Sequence, residues 1–275
     1  MKVSGKTIFI TGAASGIGRA LAIEGARRGA TLALADVDLG GLGETRDLIA
    51  AETRNDARCT LHKLDVSSLE NWQTVRDDVL AVHGHVDGII NNAGITFAGP
   101  VEDTGYDRFE RVMAINFMGT VYGTKEFLPA LKLRPEAVIA NVSSVFGLFP
   151  MKKQAAYCAS KYAVRGFTEV LHQELKGSGI LVSSIHPGHI ATKVLRNAVE
   201  AGNTAGVDLP QAHQDFIVDA FEANGLPAST AARIILDGIA GGRRKILVGK
   251  DAQRSDWRSR LFPKSFVDRT NRDAV

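Results

Sequence analysis

The sequence predicts an α/β fold, a doubly wound parallel sheet with helices on both of its faces. Short and almost continuous apolar runs alternate with longer helical stretches, which is typical of strands buried between two layers of helices. The first strand also leads through a glycine-rich turn, Thr11 to Gly18, into the first helix. With 275 residues, 45% hydrophobic and 23% charged, the chain has the composition and length of a globular protein with a sizeable core.

Strands are predicted wherever a short run rich in β-branched residues is bounded by polar or glycine-containing segments, and helices fill the intervals between these runs. The predicted strands are Lys6–Thr11, Thr31–Ala35, Arg58–Leu64, Val86–Asn91, Ala137–Val142, Leu181–His186 and Lys245–Val248. The predicted helices are Gly16–Arg28, Leu39–Thr53, Leu69–His83, Asp107–Leu133, Ala155–Lys176 and Ser229–Ala240. The fourth of these helices is either continuous or broken.

No internal repeat or linker interrupts this alternation, so one domain is predicted over residues 1–250. The stretch Thr192–Pro227 lacks a strand of its own and is interrupted by glycines, asparagines and Pro210. Because ligands bind at the carboxyl edge of such sheets, we expect this insertion to be a lid, with a surface excursion as the alternative. Residues 251–275 form a basic C-terminal extension, since Arg243 to Arg272 holds ten Lys or Arg against three Asp.

Composition excludes several classes of protein. Cys59 and Cys158 are too few for a disulfide framework or a metal-ligand cluster, and they suit a reducing compartment. No run of 18 apolar residues indicates a membrane span, and the first ten residues lack the features of a signal peptide. We therefore expect a cytoplasmic protein without a bound metal.

Gly12, Gly16 and Gly18 lie where the first strand should turn into the first helix. Glycine lets the backbone approach a pyrophosphate closely, and the helix N-terminus offers free N–H groups and the positive end of the helix dipole. The spacing is G-x3-G-x-G, not the commoner G-x-G-x-x-G, but the strand–turn–helix context predicts a dinucleotide site of the Rossmann type. A tight strand–helix turn without a ligand is the alternative.

Asp36 closes the second strand, 18 residues after Gly18, where a carboxylate can accept hydrogen bonds from an adenosine ribose. The same carboxylate would repel the 2′-phosphate of NADP, and neither Ser15 nor Val37 supplies a compensating positive charge. The sequence therefore favours NAD over NADP. The alternative is that Asp36 merely caps the following helix, although Asp38 could do this instead.

Tyr157 and Lys161 are four residues apart in a predicted helix, which places them on one face. A nearby ammonium favours phenolate, so we expect Lys161 to lower the pKa of Tyr157 from its usual value of about 10. Such a tyrosine could exchange a proton with an alcohol or ketone near neutral pH. The alternative is that Tyr157 and Lys161 are merely neighbours on a solvated face of the helix, without a role in catalysis.

Taken together, these motifs resemble those of the short-chain dehydrogenase/reductase family in its compact single-domain form, over about residues 4–250. Further segments match the family in the right order, including Asn91-Asn92-Ala93-Gly94 and Asn141-Val142-Ser143-Ser144. Ser144 lies 13 residues before Tyr157, the interval usual in the family, and is therefore chosen over Ser143. The cofactor residues that the resemblance implies are Gly12, Ser15, Gly16, Ile17, Gly18, Asp36, Asp65, Val66, Asn92, Ala93, Gly94, Tyr157, Lys161, Pro187, Ile190 and Thr192.

The resemblance also implies a role for each of four catalytic residues. Tyr157 is the general acid/base, and Lys161 lowers its pKa and binds the nicotinamide ribose. Ser144 orients the carbonyl oxygen of the substrate, and Asn116 completes a proton relay through a water molecule. The implied activity is hydride transfer between NAD and a secondary alcohol or ketone, with an NADP-dependent carbonyl or 3-ketoacyl reductase, or a nucleotide-binding sensor or scaffold, as the alternatives.

The pocket walls are predicted at Ile95–Pro100, Val145–Gln154 and the insertion, and their apolar side chains predict a hydrophobic substrate. The candidates are Phe97, Phe146, Leu148, Phe149 and Met151, with His189 as a candidate polar contact and Cys158 as a packing residue. The resemblance implies a homotetramer or homodimer built through the two long helices. For the basic extension we favour docking on a neighbouring subunit over contact with a membrane surface, and expect no nucleic-acid partner.

Overall fold

The computed structural model describes residues 1–53, 59–200, 202, 218–219 and 222–270. Its strands are Thr7–Thr11 (β1), Thr31–Asp36 (β2), Cys59–Lys63 (β3), Gly88–Asn91 (β4), Ala137–Val142 (β5), Ile180–Pro187 (β6), Ile190–Ala191 (β7), Leu226–Pro227 (β8) and Lys245–Val248 (β9). Its α-helices are Gly16–Arg27 (α1), Leu39–Thr53 (α2), Leu69–His83 (α3), Tyr106–Met113 (α4), Gly119–Lys132 (α5), Ala155–Glu174 (α6), Val194–Glu200 (α7), Ala228–Ala240 (α8), Lys250–Leu261 (α9) and Pro263–Thr270 (α10).

Seven parallel strands form one sheet in the order β3-β2-β1-β4-β5-β6-β9. The strand order reverses at β1, which pairs with β2 on one side and β4 on the other. In an open α/β sheet this reversal opens a crevice at the carboxyl ends of the two central strands. The topology confirms the predicted fold class, and it places the ends of β1 and β4 beside the crevice.

Two apolar cores lie on opposite faces of the sheet. On one face, residues such as Leu21 of α1 and Ile235 of α8 pack against the strands. On the other face, Phe9 of β1 meets Trp72 of α3 and Phe127 of α5, with the ring centroid of Phe9 5.8 and 4.8 Å from those of the two other residues. Because burial of one large apolar side chain contributes about 1.5–3 kcal/mol, these rings are a major part of the second core.

The predicted fourth helix is interrupted by a π-helical turn, Ala114–Met118, between α4 and α5. The fourth strand begins at Gly88 and not at Val86. The expectation that the insertion lacks a strand was wrong, because its last two residues form β8, which pairs with β7 just before the insertion. The body of the predicted lid, residues 201 and 203–217 with 220–221, lies outside the described residues.

Candidate active site

The glycine turn has the geometry that a close backbone approach requires. Gly12 and Gly16 have positive φ angles of 67° and 53°, which disfavour other residues. A Cβ atom at Gly12 would lie 2.8 Å from Nδ2 of Asn92, and one at Gly18 would lie 2.0 Å from the carbonyl oxygen of Gly12. Side chains are therefore excluded at Gly12 and Gly18, which leaves the start of α1 open to a phosphate group.

The carboxylate of Asp36 lies at the end of β2 and holds the glycine turn. Its Oδ2 accepts a hydrogen bond from the backbone N–H of Ala14 at 3.0 Å, and its Oδ1 accepts one from Asp38 at 3.1 Å. Asp38 in turn accepts from the N–H of Gly41 at 3.0 Å in the first turn of α2. Asp38 therefore caps the helix, while Asp36 lines the crevice beside the turn.

The end of β4 is tied to the end of β1. The backbone N–H groups of Asn92 and Ala93 both donate to Oγ1 of Thr11 at 3.0 Å. The side-chain amide of Asn92 donates to the carbonyl oxygen of Thr11 at 2.9 Å. Thr11 is thus a buried positioning residue that the sequence motifs did not single out as a site residue.

Asp65 and Val66 follow β3 on the other side of the crevice. Oδ1 of Asp65 accepts from the backbone N–H of Ser67 at 2.9 Å, and the carbonyl oxygen of Val66 accepts from Nε1 of Trp72 at 3.0 Å. Gly119 packs against Val66 so closely that an added Cβ would lie 3.0 Å from its side chain. The backbone of this pair is therefore fixed from the core side.

Asn116 lies in the π-helical turn and is almost fully buried. Its Oδ1 accepts from the N–H of Ile95 at 2.8 Å, and its Nδ2 donates to the carbonyl oxygen of Ile95 at 2.9 Å and to Oγ of Ser160 at 3.0 Å. These bonds connect the segment after β4 to α6. The side chain of Asn116 is therefore a clamp between two elements of the site, and π-helical turns are frequent at functional sites.

Tyr157 and Lys161 lie in the first two turns of α6, with Nζ of Lys161 5.7 Å from the centroid of the Tyr157 ring. Nζ donates to the carbonyl oxygen of Val142 at 2.9 Å. Burial raises the pKa of Tyr157 to about 12, although a hydrogen bond from Ser144 lowers it, and burial lowers the pKa of Lys161 to about 8. The expected depression of the Tyr157 pKa by Lys161 was therefore wrong, because desolvation is the largest influence on the tyrosine and raises its pKa.

Two adjacent serines at the end of β5 have different partners. The hydroxyl of Ser143 donates to the carbonyl oxygen of Lys161 at 2.8 Å, so it ties β5 to α6. The hydroxyl of Ser144 accepts from the N–H of Phe146 at 3.1 Å and hydrogen-bonds Tyr157. Both serines line the crevice, but Ser144 is the one that shares a polar contact with the tyrosine.

His186 holds the backbone of Ser144, and the sequence analysis did not identify it as a site residue. Its Nδ1 lies 3.0 Å from the carbonyl oxygen of Ser144, and its Nε2 lies 2.9 Å from Oγ of Ser184. A carbonyl oxygen only accepts, so Nδ1 carries the proton and Nε2 accepts from the Ser184 hydroxyl. Burial lowers the pKa of His186 to about 4, which keeps the imidazole neutral. Its position within a buried strand, next to Pro187, was the available signal.

The crevice encloses about 860 Å³ and brings together nearly all of the predicted site residues. Gly18 and Asn116 do not line the crevice, but they contact residues that shape it, Gly12 and Ile95 respectively. Phe146 and Phe149 form an apolar wall as predicted. Leu148 and Met151 pack in the same cluster without lining the crevice, and Phe97 packs in a separate cluster. The predicted residues that line the crevice are Gly12, Ser15, Gly16, Ile17, Asp36, Asp65, Val66, Asn92, Ala93, Gly94, Ser144, Tyr157, Lys161, Pro187, His189, Ile190 and Thr192.

Two crevice residues come from the C-terminal extension, Asp251 and Ser255 of α9. Their only signal in the sequence is weak, an acidic residue just after the last strand in an otherwise basic segment. Cys158 is buried, which raises the pKa of its thiol, and its Sγ accepts from the N–H of Met151 at 3.5 Å. These contacts agree with a packing role for Cys158.

Comparison with known proteins defines the class. The family model for short chain dehydrogenases matches residues 6–203, so the chain belongs to the short-chain dehydrogenase/reductase family. It is 40% identical to the putative oxidoreductase SadH of Mycobacterium tuberculosis over 267 residues, 95% of this chain and 92% of the relative. It is 34% identical to a cyclopentanol dehydrogenase of Comamonas over 206 residues, 74% of this chain and 80% of the relative.

Solved structures give the same class. A short-chain dehydrogenase/reductase from Burkholderia phymatum, in complex with NAD, matches with a TM-score of 0.86 and 29% identity, covering 96% of each chain. Levodione reductase matches with a TM-score of 0.80 and 27% identity over 92% of this chain and 99% of that one. The protein is therefore an oxidoreductase of the short-chain dehydrogenase/reductase family, which acts on small molecules with alcohol or ketone groups.

Neither a metal centre nor a membrane span was found in the residues that the structure describes. No group of three or more His, Cys, Asp or Glu side chains there could hold a metal ion. No helix in the same residues is long and apolar enough to cross a membrane. The cytoplasmic location stays a prediction.

Proposed function

We propose that this protein is an NAD-dependent dehydrogenase that interconverts a hydrophobic secondary alcohol and its ketone. One observation carries the proposal: Ser144, Tyr157 and Lys161, which contact one another through the tyrosine, line the same crevice as the glycine turn. A dinucleotide that extends from the turn would place its nicotinamide beside the tyrosine. When bound, this cofactor supplies or receives the hydride, while the protein provides position and electrostatics.

The carboxylate of Asp36 supports NAD as the cofactor. It lies beside the glycine turn, where it can accept the ribose hydroxyls of an adenosine and would repel a 2′-phosphate. The guanidinium of Arg19 is already engaged, since it pairs with Glu44 at 2.7 Å and donates to Thr45 at 3.0 Å. The similar Burkholderia structure, which holds NAD, agrees with this choice.

Proton transfer is assigned to Tyr157. With a pKa of about 12 its hydroxyl is protonated at neutral pH, so it can donate to a ketone oxygen that Ser144 orients. In the opposite direction Tyr157 must accept the alcohol proton, and a charged Lys161 together with an oxidised, cationic nicotinamide favours the phenolate. The segment after β4 packs between Asn116 and Lys161. A Cβ atom at Gly94 in this segment would lie 3.0 Å from Oδ1 of Asn116 and 3.3 Å from Nζ of Lys161.

The apolar wall of the crevice supports a hydrophobic substrate. The ring of Phe146 lies edge-on to the ring of Tyr157, with the centroids 6.3 Å apart, and Phe149 packs against Phe146 at 5.7 Å. A substrate carbon skeleton bound against these rings would have its oxygen within reach of the tyrosine hydroxyl. The similarity to a cyclopentanol dehydrogenase agrees with an alicyclic or comparable apolar alcohol.

Reduction of NAD and NADP over a panel of secondary alcohols tests this function, with Asp36→Ala as the cofactor variant. We expect turnover with NAD, and a narrower or reversed preference for NAD in Asp36→Ala because the repulsion of the 2′-phosphate is removed. Turnover by the wild-type protein with NADP alone would contradict the assignment and favour a carbonyl reductase. Binding of NAD without turnover on any alcohol or ketone would favour a sensor or scaffold.

We also propose assembly into a homodimer or homotetramer through α5 and α6. The outer face of α6 exposes Tyr162 and Val170, with Gly166 between them at helical spacing. A flat, partly apolar helix face of this kind suits close packing against a second copy. Light scattering would measure the mass in solution, and a monomer of 29.4 kDa at working concentrations would contradict the proposal.

A further inference from the structure

The C-terminal helix α9 contributes a carboxylate to the crevice. Asp251 lies in its first turn, and its Oδ2 accepts a hydrogen bond from the backbone N–H of His189 at 2.7 Å. This distance is at the short end for N–H···O bonds, as is usual when the acceptor is charged. His189 belongs to the segment that connects β6 to β7. It precedes Ile190 and Thr192, two of the implied cofactor residues, which by the family resemblance would flank the nicotinamide.

The same carboxylate also packs against Gly188. A Cβ atom at Gly188 would lie 2.0 Å from Oδ2 and 2.5 Å from Oδ1 of Asp251, so any other residue at this position would displace the carboxylate. The N–H of Gly188 donates to the carbonyl oxygen of Val248 at 3.0 Å, and the carbonyl oxygen of His189 accepts from Leu226 at 2.9 Å. Asp251 therefore completes a set of contacts that fixes the backbone of both residues.

Helix α9 is itself firmly attached to the catalytic domain. Ala252 is fully buried against the apolar cluster that contains Phe149, and Asp256 pairs with Lys245 of β9. The ring of Phe266, from α10, lies 5.1 Å from the ring of Phe149. The first turn of α9 therefore has a fixed position relative to the crevice wall.

We propose that Asp251 is a positioning residue for the dinucleotide: its carboxylate fixes the backbone at 188–189 and thereby places Ile190 and Thr192 against the nicotinamide. The inference rests on the proposed function for the place of the nicotinamide. The proposal makes the start of the C-terminal extension part of the active site. The sequence analysis, which ended the catalytic domain at residue 250, placed Asp251 outside it. Asp251 acts through the backbone and takes no part in proton or hydride transfer.

Four variants test the proposal: Asp251→Ala, Asp251→Asn, Gly188→Ala and the double variant Gly188→Ala/Asp251→Ala. In Asp251→Ala we expect the dissociation constant and KM for NAD to rise about tenfold, the effect of losing one hydrogen bond to a charged acceptor. Asp251→Asn should recover most of this loss, because its amide oxygen still accepts from His189. Gly188→Ala should reproduce the loss by displacing the carboxylate, and the double variant should be no worse than either single one.

Gln253→Ala is the control, an exposed side chain of the same helix that does not line the crevice. We expect its KM for NAD to stay within about twofold of the wild-type value, with thermal unfolding recorded for every variant. Equal losses in Asp251→Asn and Asp251→Ala, additive effects in the double variant, or the same loss in Gln253→Ala would each overturn the proposal. If no alcohol were turned over, the proposed function would fail, whereas the dissociation constants for NAD would still decide the role of Asp251.

Discussion

The ionisable residues of the site differ in how the fold changes their proton affinity. Lys161 and His186 are buried and Tyr157 is half-buried, and desolvation shifts each pKa toward the neutral form. The tyrosine therefore stays protonated, the histidine stays neutral, and the lysine is the group closest to titrating near neutral pH. Two predictions follow from these directions.

The first concerns the pH dependence of alcohol oxidation. Removal of one proton from the Tyr157–Lys161 pair can leave a phenolate beside a charged lysine, which is the form that accepts the alcohol proton. Because the pKa of Lys161 is about 8, we expect the pair to lose this proton, and kcat/KM to rise, through an apparent pKa near 8. In Lys161→Met the apparent pKa should move upward, toward the value of about 12 for Tyr157, and activity at neutral pH should fall about a hundredfold or more. An unchanged pH profile in Lys161→Met would contradict the coupling.

The second concerns stability and His186. Its pKa is about 4 in the fold against 6.5 as a free group, so between these values the unfolded chain binds a proton that the folded chain does not. The free energy of unfolding should therefore fall by up to about 3 kcal/mol as the pH drops from 7 to 4. Urea titrations of wild type and His186→Gln would measure this, and equal slopes with pH in both proteins would refute the assignment.

At the scale of elements, the sequence predicted most of the strands and helices but missed those set by tertiary contacts. The central strands were predictable because their apolar runs are continuous, as burial of every residue of β1 and β5 confirms. The π-helical turn was not, because it depends on bonds between Asn116 and Ile95, which are distant in the sequence. The short β7–β8 pair likewise depends on contact between the two ends of an insertion.

Asn116 offers a test at this scale. In Asn116→Ala the π-helical turn would lose three side-chain hydrogen bonds, to Ile95 twice and to Ser160 once, and leave buried groups without partners. We expect the free energy of unfolding to fall by about 2–4 kcal/mol and kcat to fall as well, because the clamp between the β4 end and α6 is lost. Gln73→Ala, at an exposed position of α3, is the control.

Denaturant titration and initial rates would measure both effects in the two variants. A variant Asn116→Ala that is as stable and as active as the control would show that the π-helical turn does not depend on this side chain.

At the scale of the whole molecule, the site is assembled from segments that are distant in the sequence but meet at one edge of the sheet. Motif spacing was enough to predict the glycine turn, Asp36 and Tyr157 because each has a recognisable local context. The pKa values were not predictable, since they depend on how completely the fold removes water from Tyr157 and Lys161. The contribution of Asp251 was also hidden, because the path of the chain after β9 is set by packing against Phe149.

The measurement that tests the central claim most directly compares Tyr157→Phe with wild type in NAD binding and in NAD-dependent oxidation of a secondary alcohol that the wild type uses. Phenylalanine preserves the ring contact with Phe146 but removes the hydroxyl that exchanges the substrate proton. We predict an unchanged dissociation constant for NAD and a loss of turnover of at least about a hundredfold. Turnover close to the wild-type rate would contradict the role of Tyr157 and, with it, the proposed mechanism.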